Sequence, residues 1–178
     1  MKILLIEPFF TGSHKSWALG FQKHSRHQVE LLTLSGHYWK WRMHGGAITL
    51  ANKYIDCKYQ PDLIVVTDML DLCTFQGLTR KLTSNIPFAV YFHENQLTYP
   101  WSEKDEDVKL KRDNHYAFIN YSSALAADKV FFNSQYHKQS FLNELPRFLK
   151  QFPDHNNLAT IDTIKNKSEV LYLGVDLI

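Results

Sequence analysis

Four polar residues in a row, His93, Glu94, Asn95 and Gln96, follow the apolar run Phe88 to Phe92 inside the stretch Pro87 to Trp101. An imidazole, a carboxylate and two amides combine protonatable groups with paired donors and acceptors, a mixture suited to sugar hydroxyls or phosphates. The run before them has no alternating polar face, as expected of a strand covered on both sides in a parallel sheet. Ligands of such sheets collect at the carboxyl ends of the strands, which makes the quartet a candidate site. The alternative is an ordinary turn whose side chains satisfy the backbone.

A second candidate is Thr11-Gly12-Ser13-His14, which puts a glycine, two hydroxyls and an imidazole at an expected helix start, where free N–H groups favour an anion. The alternative there is a cap made by Ser13. Neither G-x-G-x-x-G nor G-x-x-x-x-G-K-[ST] occurs, so dinucleotide and P-loop readings are weak. Between Gly36 and Gly46, Trp39 and Trp41 stand with Lys40, Arg42, His37 and His44. Such a group can stack on a sugar or base and pair with phosphate, or its rings can pack on the adjacent helix. Asn133-Ser134-Gln135-Tyr136-His137 follows a fifth strand much as the His93 quartet follows the fourth, so both can border one crevice, although Ser134 equally suits a helix cap.

Nine histidines invite a metal reading, with His24/His27, His93/Glu94 and His115 as candidates. None has ligand spacing: His93-Glu94-Asn95-Gln96-Leu97 fails H-E-x-x-H at its last residue, and no cysteine pair completes a deaminase-like site. No metal is expected. The absence of G-x-S-x-G argues against an α/β-hydrolase.

The elements that must position these residues alternate. Strands are expected over Lys2 to Ile6, Gln28 to Leu34, Asp62 to Thr67, Pro87 to Phe92, Val130 to Asn133 and Glu169 to Leu173. Helices are expected over Lys15 to His24, Ala47 to Ile55, Leu70 to Thr83, Tyr116 to Ala127 and Gln135 to Leu145. Ser35 to Gly46 reads as a loop, the charged stretch Ser102 to Asn114 as a solvated loop leading into a helix, and Pro146 to Lys167 as short helix or loop. Repeated strand–helix units of this length give an α/β fold, a Rossmann-like, doubly wound and mainly parallel sheet with right-handed crossovers.

With 178 residues, 44% of them hydrophobic, the chain can bury one sizeable core. A net charge of +2 is far from that of a dedicated nucleic-acid module, so any contact with nucleic acid must be local. Cys57 and Cys73 form no disulfide framework or zinc ribbon, which suits a reducing compartment. Ile3 to Ile6 is too short for a signal core or a membrane span. A cytoplasmic protein without a membrane partner is expected.

The ordered set Ile6-Glu7-Pro8-Phe9-Phe10-Thr11-Gly12-Ser13-His14, Ser35-Gly36-His37-Tyr38-Trp39-Lys40-Trp41-Arg42, Phe92-His93-Glu94-Asn95-Gln96 and Phe132-Asn133-Ser134 resembles the amino-terminal domain of the tRNA-queuosine α-mannosyltransferase family, over essentially the whole chain. The resemblance implies a GT-B glycosyltransferase, in which two Rossmann-like domains face across a cleft and the donor nucleotide sits mainly on the second. It implies transfer of mannose, with retention, from GDP-mannose to the cyclopentene diol of queuosine in the anticodon loop of tRNA-Asp, with no cofactor beyond that donor substrate. Residues 1–173 would be the acceptor-side domain and 174–178 the start of a linker to a carboxyl-terminal, Rossmann-like, donor-binding domain. Related retaining families carry two glutamates separated by seven residues in that second domain; no pair here has the spacing, so this chain alone is expected to be inactive.

By the same resemblance, His93 and Glu94 are the catalytic candidates; Gly12, Ser13, His14, Asn133 and Ser134 would approach the donor; and Trp39, Trp41, Arg42, Asn95 and Gln96 would serve the acceptor. The competing classes are a GT-B transferase of other donor and acceptor, and a non-catalytic tRNA-binding α/β module. A lipid acceptor would call for an amphipathic basic helix, and no clean example occurs.

Overall fold

The computed structural model describes residues 1–57, 59–100, 102 and 114–174. Six strands form one sheet in the order β2-β1-β3-β4-β5-β6, every neighbouring pair parallel: β1 (Lys2–Phe10), β2 (Gln28–Ser35), β3 (Leu63–Thr67), β4 (Phe88–Phe92), β5 (Lys129–Phe132) and β6 (Ser168–Val170). The helices between them are α1 (Gly12–His24), α2 (Trp39–Cys57), α3 (Leu72–Thr83), α4 (His115–Ala126), α5 (Gln135–Leu149) and α6 (Thr160–Asn166). The Rossmann-like parallel architecture expected from the alternation is the one observed.

The winding reverses once. From β1 the chain steps outward to β2, then returns past β1 to β3 and continues in the new direction to β6. With right-handed crossovers, that order sends α1 to one face and the remaining helices to the other. The buried residues divide the same way. Leu4, Ile6, Ile64, Val66, Val90 and Phe92 pack with residues of α2 to α6, whereas Ile3, Leu5, Val65, Ala89 and Tyr91 pack with Ala18, Trp17 and Phe21 of α1. Even and odd positions of each strand thus serve opposite faces, which is why β4 is buried at every residue and shows no alternation.

Several boundaries differ from the sequence expectation. Strand β1 does not stop at Glu7-Pro8; it runs to Phe10 across an irregularity in its pairing with β2, and α1 starts at Gly12 with only Thr11 between. Pro8 is tolerated because the pairing is already broken there. The stretch Ser35 to Gly46 is not a loop: α2 begins at Trp39 and runs unbroken through Gly45-Gly46. Those two glycines are buried packing residues. A side chain on Gly46 would meet Pro8 and Leu34, and one on Gly45 would strike the Trp41 ring, at 2.7 Å. Helix α5 continues past Leu145 through Pro146 to Leu149, and β6 is shorter than expected, ending at Val170. The charged stretch 103–113, and all of the expected linker except Gly174, lie outside the described residues.

Two connections at the carboxyl edge of the sheet nest against each other. Gly36, leaving β2, lies so close to Thr11 that a Cβ there would sit 2.2 Å from the threonine side chain. Gly12 has φ 51°, a left-handed conformation that costs a glycine little and other residues more.

Candidate functional site

Adjacent strands whose crossovers leave for opposite faces open a crevice at their carboxyl ends. Here those strands are β1 and β3. Glu7 shares the α1 face with Ile3 and Leu5 by strand period, and α1 returns over that face after a single linking residue. Consequently Glu7 Oε2 meets His14 Nδ1 at 3.0 Å, with the glutamate fully buried and its Oε1 accepting from Phe9 N–H at 2.8 Å. His93, next on the same face after Tyr91, reaches α1 as well. Its ring lies 4.3 Å from that of His14 and 4.7 Å from that of Trp17, one helical turn on, while Trp17 stacks on Tyr91 at 4.3 Å.

The backbone around His93 is held from three sides. Its N–H donates to Asp68 Oδ1 at 2.8 Å, and its carbonyl accepts from Asn133 Nδ2 at 2.7 Å. Asn133 Oδ1 pairs with His137 Nδ1 at 3.0 Å. Asn120, fully buried on α4, donates to the Asp68 carbonyl and accepts from Gln96 N–H, at 2.9 and 2.7 Å, and so ties the segment after β3 to the segment after β4.

This packing separates the protonation states of neighbouring groups. Burial lowers the affinity of His14 for its proton, but the hydrogen bond to Glu7 and the charges of Glu7, Asp68 and Glu94 outweigh that and raise its pKa to about 9. Burial, with His14 and His137 nearby, lowers His93 to about 3. Burial also lowers His137 to about 4 and raises Asp68 to about 7, while Glu94 is raised by burial against the opposing pull of His14. Among the described residues, the buried Nε2 atoms of His93 and His137 have no hydrogen-bond partner. Perturbed groups clustered in a crevice mark functional sites.

A cleft of about 550 Å³ opens beside the cluster, lined by Gly12, Ser13, His14, Glu94 and Gln96 on one side and by Phe9, Trp39, Met69 and Tyr99 among others. Of the residues expected at a site, the fold brings Gly12, Ser13, His14, Trp39, Glu94 and Gln96 to this cleft. Ser13 is exposed within the first turn of α1 and does not cap it: the cap position is Thr11, and no side chain closes it. His93 stands against His14 and Trp17 and is not among the cleft's lining residues.

Other expected residues act as supports. Asn95 is buried, and its Oδ1 accepts from Leu97 N–H, Thr98 N–H and the Thr98 hydroxyl, an Asx-type turn. Ser134 caps α5 by accepting from His137 N–H at 3.1 Å.

The start of α2 forms a ledge at the cleft. Trp39 packs with Tyr116, Met43 and Met69 while facing the cleft; Trp41 is 63% exposed; and Tyr38, before the helix, is 81% exposed with φ 55°. Arg42 donates from Nε and Nη2 to the Ser35 carbonyl and hydroxyl. Aromatic rings, Lys40 and Arg42 therefore sit on a rigid helix.

Ligand atoms of Glu7, His14 and His93 lie within 4.8 Å of one another, the only such metal-sized group among the described residues. Glu7 and His14 are hydrogen-bonded to each other. Sequence reasoning missed Glu7, Asp68 and Asn120, whereas His137 stood in the segment expected to border the crevice. Asp68 was accessible to it, because this residue directly follows a strand and the strand-end rule applies to β3 as it does to β4.

Residues 2–175 match the family described as tRNA-queuosine alpha-mannosyltransferase N-terminal. The chain is also similar to the tRNA-queuosine alpha-mannosyltransferase of Drosophila melanogaster, at 37% identity over 175 residues. That similarity covers 98% of this chain and 45% of the fly protein, so the chain spans less than half of that relative's length.

Proposed function

Because the chain belongs to the tRNA-queuosine alpha-mannosyltransferase N-terminal family, we propose that it is the acceptor-side domain of a retaining GT-B glycosyltransferase. The reaction moves mannose from GDP-mannose to the cyclopentene diol of queuosine in the anticodon loop of tRNA-Asp. The observation that carries this reading is the strand-end cluster of Glu7, His14, Asp68, His93 and Glu94 beside a cleft that Trp39 lines from the start of α2, with Lys40, Trp41 and Arg42 next to it in the helix. A small polar ligand suits the cluster and an RNA loop the start of the helix. Donor recognition is completed by a second Rossmann-like domain in the longer protein. Two free, exposed cysteines suit a reducing cytoplasm, and no helix among the described residues is long and apolar enough to cross a membrane.

In the transfer, the bond from the anomeric carbon to the diphosphate breaks, a bond to the diol oxygen forms on the same face, and the hydroxyl proton leaves with the diphosphate. Catalysis then consists of holding the acceptor hydroxyl beside the anomeric carbon and stabilising separated charge. Gly12, Ser13 and His14 approach the donor's diphosphate or sugar, with the open start of α1 contributing N–H groups. His93 is assigned to the transferred sugar from just behind the lining: its half-buried ring stands 4.3 Å from that of His14, and its Nε2, buried in this structure, has no hydrogen-bond partner. Glu94 and Gln96 hold hydroxyls, and Trp39, Trp41 and Arg42 receive the tRNA loop.

The test incubates the longer protein with GDP-mannose and queuosine-containing tRNA and weighs the nucleosides. A gain of one hexose on queuosine, absent with tRNA lacking it and absent when residues 1–178 are used alone, is the expected result. Equal binding of both tRNAs with no mass gain from any nucleotide sugar would reduce the protein to a tRNA-binding module.

A further inference from the structure

Glu7 has no counterpart in the roles assigned so far, yet it is the most enclosed charge in the molecule's crevice, with a relative exposure of 0%. Both of its oxygens are committed, one to the Phe9 N–H and one to His14 Nδ1. His14 in turn touches His93, ring centroid to ring centroid, at 4.3 Å. Two imidazolium ions at that separation, away from bulk water, repel strongly, so the pair carries at most one charge.

We propose that Glu7 is a positioning residue that decides where this charge resides: it commits His14 to the doubly protonated, donor-only form and leaves His93 as the neutral imidazole. The surroundings of the two rings differ. His14 faces Glu7 from β1, Asp68 from the segment after β3, and Glu94 from the segment after β4, all carboxyl groups. His93 faces the imidazoles of His14 from α1 and His137 from α5; Glu7 also lies within 4.8 Å of a His93 ring nitrogen, but its oxygens are committed to His14 and the Phe9 N–H, and Asp68 is engaged with the His93 backbone N–H rather than its ring. The opposite directions of their pKa values, His14 to about 9 and His93 to about 3, follow from these neighbours once burial has lowered both.

The two rings therefore do different work. A doubly protonated His14 donates to an acceptor oxygen at the cleft and takes up no proton at neutral pH. His93 keeps a lone pair. Since Glu7 neutralises His14, the cleft gains a directed N–H group without a net positive charge. The catalytic meaning of this division rests on the sugar-transfer reading; the proton placement does not.

Nitrogen-15 imidazole spectra of the chain, assigned with His14→Gln and His93→Gln, test the proposal. In the unaltered protein at neutral pH, His14 should show two protonated nitrogens and His93 one. A singly protonated His14 overturns the proposal even if every variant fails to fold. Glu7→Gln keeps an oxygen that can accept from Nδ1–H but removes the charge. It should weaken proton binding at His14 by about tenfold or more, one pKa unit, and strengthen it at His93. A folded Glu7→Gln protein with both titrations unmoved also overturns it. In the longer protein, turnover of Glu7→Gln should fall as pH rises through neutrality and recover toward acid, a profile that simple loosening would not give. Absence of hexose transfer in the parent protein, with the spectra as described, removes the proposed reaction and leaves the proton placement standing.

Discussion

The two walls of the cleft are built on opposite principles. On the strand-end wall, Glu7, Asp68 and Asn120 are buried and hydrogen-bonded, and each fixes a neighbour. On the α2 side, Trp39 lines the cleft, Tyr38 and Trp41 beside it are exposed, and the Trp41 ring lies over the bare Gly45 of its own helix. The first wall suits a small ligand that must be oriented at fixed distances, the second a larger one that is met by stacking and charge. Substitutions should therefore damage folding and chemistry on one side and binding alone on the other.

The sharpest challenge to that contrast is Asn120→Ala, which strands the Gln96 N–H and the Asp68 carbonyl in the interior. At about 1–3 kcal/mol for each unsatisfied group, urea unfolding should register one of the largest losses of any single polar substitution. A loss under about 1 kcal/mol would mean that the wall is not held by its buried hydrogen bonds. Next in size, His93→Ala in the longer protein should cut turnover by about a hundredfold or more while the fold persists, in keeping with a residue at the reacting centre. Parental turnover in that variant would take His93 out of the chemistry.

On the other wall, Trp41→Ala should leave stability within about 0.5 kcal/mol of the parent and weaken tRNA binding by about 1–3 kcal/mol in a filter or fluorescence titration. Arg42→Ala should also weaken it and lower the salt slope by about 0.9 if one duplex phosphate contact is lost, or about 0.7 in a single-stranded loop. Unchanged affinity in both variants would return the ledge to packing.

The same contrast has a signature in the pH dependence of stability. His14 binds its proton more tightly folded than unfolded, so its contribution is complete below its ordinary value of 6.5 and is lost as pH rises toward about 9. His93 and His137 have the opposite sign: their contribution is present above 6.5 and declines as pH falls toward about 3 and about 4. Unfolding curves of His14→Gln should lose the alkaline decline and keep the acid one; persistence of the alkaline decline would assign it elsewhere.

The sheet was readable from the chain because its strands are short apolar runs set off by turns, and β4 declared itself by lacking a polar face. The start of α2 was not. Trp39 to Gly46 carries no clear hydrophobic period, since Gly45 and Gly46 bury backbone where other helices bury side chains. A pair of glycines then resembles a loop. Gly12, Ser13, His14 and the His93 quartet were visible as polar residues after strands. Glu7 was hidden because a charged residue inside a strand looks like an interruption; only the return of α1 over the same face, seven residues on, explains it. Asn95 and Asn133 illustrate the converse, polar side chains in the right neighbourhood that serve turns and struts.

Gly36 gives the contrast between the walls a mechanical side. Because the space its side chain would fill is taken by Thr11, the link into α2 and the link into α1 are nested, with no clearance to slide independently. A single added methyl group, as in Gly36→Ala, would wedge the two links apart at the residue that precedes Gly12.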